Sequence, residues 1–381
     1  MLDLPVKDWD VEVFGVAASD LQDLLEQRGS VNLVGRSFGV LKWTPRGKRQ
    51  EIDVSIPRRD SRVGVGHRGI QVEGDPDMAV EEAVRRRDLT INAMMIDLVS
   101  EQLVDPAGGQ SDLQAGRLRA VDPDTFLEDP LRALRVIQFA GRLGFVADEE
   151  LVGLCQRAPL HELPAERIRE EWQKLMLLSD RPSRGLSLAS RTGVNDRVFP
   201  HAASCRPIDG DALLDRLAQA LGPVADAERM ILMLAGWLAD GTEGAVVACL
   251  DVLGLFRMGR WDVRSLVVAL VANWRAPLDS DTALRRLATH TRISWVLALR
   301  RALEPDQDWS RVQSRAAALG VLEEPLAPLL QGRDLAGLGI APGPHMGVIL
   351  REVYDAQLEG RIHEKAAALK EAAAIWARRP Q

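Results

Sequence analysis

Asp8 and Asp10 form an Asp-x-Asp pair directly ahead of an apolar run, Val11 to Val16. On a strand, residues i and i+2 project to the same side, so both carboxylates face one place. Two oxygen donors placed in this way suit Mg2+, which is commonly held by one or two carboxylates together with substrate phosphates during phosphoryl transfer. The plain alternative is a pair of solvated acids on a strand edge. A second acidic strand follows at Glu51-Ile-Asp-Val-Ser-Ile56, with Ile52, Val54 and Ile56 on one face and Glu51, Asp53 and Ser55 on the other. Asp53 is thus either a further carboxylate for the same site or a solvent-facing residue. Downstream come a basic cluster, Arg85-Arg-Arg-Asp88, and the segment Glu128-Asp129-Pro-Leu-Arg132-Ala-Leu-Arg135. If residues 128–144 form one helix, spacings of four, three and seven put Glu128, Arg132, Arg135 and Arg142 on one face, with Asp129 flanking Arg132. As structure alone, that face is an ion-pair ladder.

The elements that must position these residues are mixed α/β as far as about Pro123. Val11 to Phe14 reads as a strand and Ala17 to Gln27 as a helix stopped at Gly29; Val31 to Leu41, Glu51 to Ile56 and Ile91 to Leu98 carry further strand signals. Val63-Gly-Val-Gly-His-Arg-Gly69 interrupts them as a phosphate cradle or a surface loop. From Thr125 the pattern turns helical, near 128–144, 147–156, 164–179 and 184–192, and further helices end in an Ala-rich segment, Lys365 to Arg379. The helix from Glu166 to Lys174 has a charged face, Glu166, Arg169, Glu170 and Gln173, read as scaffold, with Arg167 a candidate RNA contact.

With 381 residues, 46% of them hydrophobic, the chain can bury a large core spread over two or three domains. No apolar run is long enough for a membrane span, and no signal peptide is visible. Cys155, Cys205 and Cys249 lack metal-ligand spacing and fit a reducing cytoplasm. A formal net charge of −7 argues against a generally sticky polyanion binder. The basic residues are nevertheless clustered, at Arg58, Arg59, Arg62, His67 and Arg68 and again at Arg85 to Arg87. Local basic sites in an acidic chain suit a phosphate-bearing substrate.

The motifs, in their order, resemble those of the class II tRNA nucleotidyltransferases and the related bacterial poly(A) polymerases. The resemblance extends over Leu4-Pro-Val-Lys-Asp8-x-Asp10, Gly64-Val-Gly-His-Arg-Gly69, Asp105-Pro-Ala-Gly-Gly109, Gly141-Arg-Leu-Gly-Phe145 and Glu166 to Leu175. It thins after Pro200 and revives at Gly332-Arg-Asp334 and Gly343 to Gly347. It implies an α+β chain in three parts. A DNA polymerase β-type nucleotidyltransferase head (1–124) precedes a helical neck with a base-template helix (125–200) and an all-helical, RNA-binding body and tail (201–381).

The implied activity is addition of CMP and AMP to the tRNA 3′ end from CTP and ATP, with release of pyrophosphate. Asp8 and Asp10 would hold Mg2+, and Asp53 would act as a further ligand or as base for the primer hydroxyl. Arg87 and Asp88 would contact the phosphates and sugar of the incoming nucleotide, a task that suits an Arg fork and a short carboxylate. Arg85 and Arg86 read better as a salt-bridged turn or loose RNA contacts. Asp129 and Arg132 would read the base edge of C or A, with Arg135 and Glu128 beside them; Gln138 stands where many relatives have another Arg.

Two family features are missing. Relatives place Gly-Gly-x-Val-Arg-Asp just ahead of the Leu-Pro-Val-Lys element to hold the triphosphate, and here that point precedes Met1, which we expect reflects a start assigned too late. Ala239 occupies the His position of the His-Asp phosphohydrolase domain that some relatives carry, and His201, His290, His345 and His363 form no replacement cluster. Addition of poly(A), of A alone or of CC alone is the rival activity, and a non-catalytic RNA-binding remnant is the rival of another class.

Overall fold

Asp10–Glu12 forms the first strand (β1) of a four-stranded sheet in a computed structural model that describes residues 8–33, 40–62, 70–207 and 210–378. The helix Ala18–Glu26 (α1) follows, then the strands Gly29–Leu33 (β2), Val40–Pro45 (β3) and Ile52–Ser55 (β4). The strand order is β1-β4-β3-β2, with β1 parallel to β4 and the other pairs antiparallel. Alternation along the strands decides which way each side chain points. Val11, Val13, Leu41, Trp43, Ile52, Val54 and Ile56 pack with Leu21 and Leu25 of α1 into one apolar cluster. The acids of β1 and β4 are left on the opposite face.

Residues 1–136 with 143–164 divide off as one compact unit and 137–142 with 165–381 as the other. The first unit continues with a hairpin, Arg58–Arg62 (β5) and Ile70–Gly74 (β6), the helix Val80–Arg85 (α2), and a 3₁₀ turn at Thr90–Asn92. Short strands Met95–Ile96 (β7) and Leu103–Val104 (β8) pair, and Gly109–Ala115 (α3), Arg117–Leu118 (β9) and Pro123–Phe126 (α4) lead to Leu131–Leu143 (α5). Val146–Ala147 (β10) pairs with β9 before Glu149–Arg157 (α6), whose N-cap Asp148 accepts from the Leu151 N–H at 2.8 Å.

Asp105 accepts from the N–H groups of Gly109 (2.7 Å) and Gln110 (2.9 Å), which explains the Asp-Pro-Ala-Gly-Gly motif as the start of α3. Only glycine fits at 109, because a Cβ there would lie 2.1 Å from the Thr90 carbonyl oxygen. Close beneath, buried Asp112 takes hydrogen bonds from Thr90 Oγ1 (2.7 Å), Arg117 Nε (2.8 Å) and Arg119 Nε (2.9 Å). This network fixes the turn that follows Asp88.

Among its described residues the second unit is helical apart from a hairpin of two-residue strands, Arg257–Met258 with Trp261–Asp262. Ala165–Leu178 (α7) and Pro182–Arg191 (α8) open it, and Gly141 and Gly185 allow close approach: a Cβ at 185 would lie 2.6 Å from both the Ile137 carbonyl oxygen and Leu175 Cδ1. Trp172, Phe199 and Trp237 pack ring to ring with centroids 4.6 to 5.1 Å apart. A separate cluster around Leu335, Ile349, Val353 and Ala372 holds the last helices together, and the final one spans Lys365–Ala377. Ala239 is buried, and its carbonyl accepts from Trp274 Nε1. No described helix is long and apolar enough to cross a membrane.

Several local expectations are corrected. Gly29 does not stop α1 but begins β2, where its backbone lies against Thr44. Val31 to Leu41 is not one strand, since its ends belong to the separate strands β2 and β3. Ile91 to Leu98 is a 3₁₀ turn and a two-residue strand, because Thr90 is drawn into the Asp112 network. Helix α5 starts at Leu131, since α4 ends at Phe126 and a turn separates the two, so Glu128 and Asp129 lie ahead of the helix rather than on its face. The glycine-rich loop with His67 and Arg68 and the Leu4-Pro-Val-Lys7 segment lie outside the described residues.

Candidate active site

The polar face of the sheet gathers the first half of the site. Asp10 of β1 and Asp53 of β4 are register partners on adjacent parallel strands, so their side chains leave the sheet on the same side. The ladder runs from the Asp53 N–H on the Trp9 carbonyl (2.9 Å) to the Val13 N–H on the Ser55 carbonyl (2.8 Å). Asp8 is exposed and precedes it by one residue. Lys42 of β3, the cross-strand partner of Asp53, reaches Asp53 Oδ1 at 3.2 Å and Glu51 Oε1 at 2.8 Å. Those hydrogen bonds, to Glu51 first and Asp53 second, hold the Lys42 ammonium above its usual range. Among the described residues no three His, Cys, Asp or Glu side chains converge as a metal cage. What the face offers is a pair of hard carboxylate oxygens beside open solvent, a donor set that fits Mg2+ completed by phosphate oxygens and water.

The second half of the site is joined to the first through a residue that the motifs did not single out. Glu12, two residues beyond Asp10 on the same face of β1, has a side chain only 5% exposed. Its Oε1 accepts a close hydrogen bond from Arg86 Nη2, and its Oε2 accepts from Arg87 Nη2 at 3.3 Å. Burial pushes the Arg86 guanidinium below its ordinary range, and the charge of Glu12 opposes that shift. For Arg86 the salt-bridged reading therefore holds. The signal was legible: a charged residue in the otherwise apolar run Val11-Glu-Val-Phe14, in phase with Asp10.

Asp88 is buried and accepts from Arg135 Nε at 2.5 Å, from the Leu89 N–H at 2.8 Å and from Asn92 Nδ2 at 3.2 Å. Burial opposes its ionisation, but the Arg135 guanidinium and the Asn92 and Leu89 hydrogen bonds outweigh it and hold the carboxyl below the usual range. Arg132 donates to two backbone carbonyls, of Thr125 (2.9 Å) and Arg86 (2.6 Å), and so pins α5 to the Arg-Arg-Asp segment. Asp129 Oδ1 accepts from the Leu131 N–H at 3.1 Å at the start of α5, and Glu128 is exposed in the preceding turn. Thus Asp88, Arg132 and Arg135 form one connected group with Arg86, Arg87 and Glu12. Gln138 is buried and accepts from Arg142 Nη1 at 3.2 Å.

The chain is similar to known proteins in sequence and in fold. Residues 1–119 match the family described as "Poly A polymerase head domain", and residues 155–205 match "Probable RNA and SrmB- binding site of polymerase A". A "Multifunctional CCA protein" of Vibrio cholerae is 40% identical over 207 residues, which cover 52% of this chain and 48% of that protein. One from Nitrosomonas europaea is 35% identical over 204 residues, covering 52% and 47%. The chain thus spans about half the length of the curated relatives it matches.

Among solved structures, a CCA-adding enzyme complexed with CTP superposes with a TM-score of 0.66 at 20% identity, over 97% of this chain and 88% of that one. A Thermotoga maritima CCA-adding enzyme complexed with tRNA superposes with a TM-score of 0.62, also at 20% identity, over 98% and 88%. At that identity the likeness is one of fold: a mixed α/β N-terminal part followed by helices. Within the head domain, the sheet acids and the Arg-Arg-Asp segment fall inside the matched residues, whereas α5 lies beyond them.

Proposed function

We propose that this chain is a tRNA nucleotidyltransferase that adds CMP and AMP to the tRNA 3′ end from CTP and ATP, releasing pyrophosphate. The observation that carries the reading is the in-register Asp10–Asp53 pair, connected through Glu12 to Arg86-Arg-Asp88. Carboxylates and guanidiniums so joined serve a reaction in which a metal-bound triphosphate is held while a hydroxyl attacks. We assign the parts as a head to residue 124, a neck over 125–200 and an RNA-gripping body and tail over 201–381, working in the cytoplasm.

In this reading Asp8 and Asp10 hold Mg2+ together with phosphate oxygens. The bound ion supplies neutralisation of charge on the triphosphate. Asp53, with Lys42 beside it, serves as a further ligand or accepts the proton of the tRNA 3′ hydroxyl. Arg87, whose contact with Glu12 is long and whose guanidinium is partly exposed, turns to the phosphates, and Asp88 sets the sugar side through its bond with Arg135. Asp129 and Arg132, with Glu128 near them, read the base edge. Reading requires Arg132 to present donors beyond the two held by backbone carbonyls, and a guanidinium has five.

The test is incorporation of labelled CMP and AMP into tRNA lacking its CCA end. Asp8→Ala and Asp10→Ala are expected to abolish addition while leaving tRNA affinity and the melting temperature nearly unchanged; full activity in either refutes the metal assignment. Sequencing the products separates CCA from an A tract or from CC alone.

A further inference from the structure

We propose that Glu12 is a positioning residue that, braced by Arg86, aims Arg87 at the triphosphate of the incoming nucleotide, an inference that rests on the nucleotidyltransferase reading above. A buried carboxylate is costly unless it is paired, and Glu12 is paired twice, one oxygen to each guanidinium. One negative charge set against two positive ones leaves a net positive fork, which an anionic triphosphate completes. The two contacts are unequal. Arg86 is the closer and the less exposed of the pair (21% against 36%), so it acts as a strut while Arg87 keeps the freedom to open toward a ligand.

The carboxylate also stands on the rigid element that matters. Glu12 belongs to the same strand as Asp10, and β1 is clamped to β4 by ladder bonds on both sides of that segment. The backbone of Arg86 is held in turn by Arg132, whose Nη2 donates to its carbonyl at 2.6 Å. Glu12 therefore sets the distance between the metal-binding acid and the phosphate-binding fork, and orientation of this kind is what phosphoryl transfer demands. Without it, two neighbouring guanidiniums repel and the fork splays.

The experiment compares wild type, Glu12→Gln and Glu12→Asp for the KM and kcat of ATP and CTP in nucleotide addition. It also measures ATP affinity by equilibrium dialysis in EDTA, where no metal contributes. Glu12→Gln keeps the shape but loses the charge; Glu12→Asp keeps the charge but is one methylene too short to span both guanidiniums. Both are expected to raise KM and the metal-free ATP Kd about tenfold, the effect of losing one charge-assisted contact, with kcat changed by less than about threefold. In the Glu12→Gln/Arg87→Lys double variant the increase should be much smaller than the product of the two single effects, because Glu12 acts through the arginine. A folded Glu12→Gln or Glu12→Asp with unchanged KM and Kd, or a loss confined to kcat, overturns the proposal. Absence of nucleotide addition by the wild type would sink the parent reading alone, and the ATP affinities in EDTA would still decide the role of Glu12.

Discussion

Replacing Arg135 by Met should cost the fold about 3 kcal/mol at pH 7.5, and the loss should shrink as the pH falls. The Asp88 side chain is 9% exposed and takes its shortest hydrogen bond, 2.5 Å, from Arg135. Removing one partner of a buried pair strands the other charge, at a cost of about 3–5 kcal/mol; with Arg135 32% exposed, solvent screening favours the lower end. In the wild type the Asp88 pKa lies below its unfolded value of about 3.9, so its stabilisation is complete above that pH and is lost as pH falls through the depressed folded pKa. In Arg135→Met, burial acts without the opposing guanidinium, and the folded pKa moves up. The penalty is then full only above the raised pKa, and protonation relieves it by about 1.4 kcal/mol per pH unit below. Urea unfolding of both proteins at pH 7.5, 5.5 and 4.5 measures the difference. Asp88→Asn combined with Arg135→Met should recover part of the loss, because position 88 then carries no charge to strand. A penalty under about 1 kcal/mol at pH 7.5, or one that is the same at all three pH values, would refute the reasoning.

Gly109→Ala should lower stability by about 1–3 kcal/mol, since its Cβ would meet the Thr90 carbonyl 2.1 Å away. Gly244→Ala, in the helix Glu243–Leu253 with nothing within 4 Å, should raise stability by about 0.5–1 kcal/mol. Thermal melts of the two variants that shift in the same direction would contradict this account. Cys155, Cys205 and Cys249 are all buried, and burial with the adjacent Cys205 pushes the Cys249 thiol up to about 12. Iodoacetamide at pH 8 should leave the native protein unmodified and label three thiols in urea, and rapid labelling of Cys249 in the native protein would show the packing to be wrong.

Much of the head was legible from side-chain alternation alone. Ile52, Val54 and Ile56 could face only the core once Asp53 and Ser55 faced away, because a strand has a period of two. The order of Asp10, Asp53, Arg87, Asp88 and Arg132 along the chain carries the family resemblance, and with it the expectation of one kind of chemistry. Local rules failed where a distant partner competed for the backbone. Ile91 to Leu98 has the composition of a strand, yet the hydroxyl of Thr90 goes to Asp112, 22 residues later, and the segment turns. Glu128 and Asp129 have helical spacing to Arg132, yet α4 ends and a turn intervenes, so Asp129 meets the helix end-on as an acceptor for Leu131 N–H. The most consequential contact, Glu12 with Arg86 and Arg87, joins residues 74 and 75 positions apart. Sequence determined which residues carry charge and which face of each strand they occupy; only the tertiary structure decided which opposite charges meet, because a buried carboxylate takes whatever guanidinium the packing of other elements brings within reach.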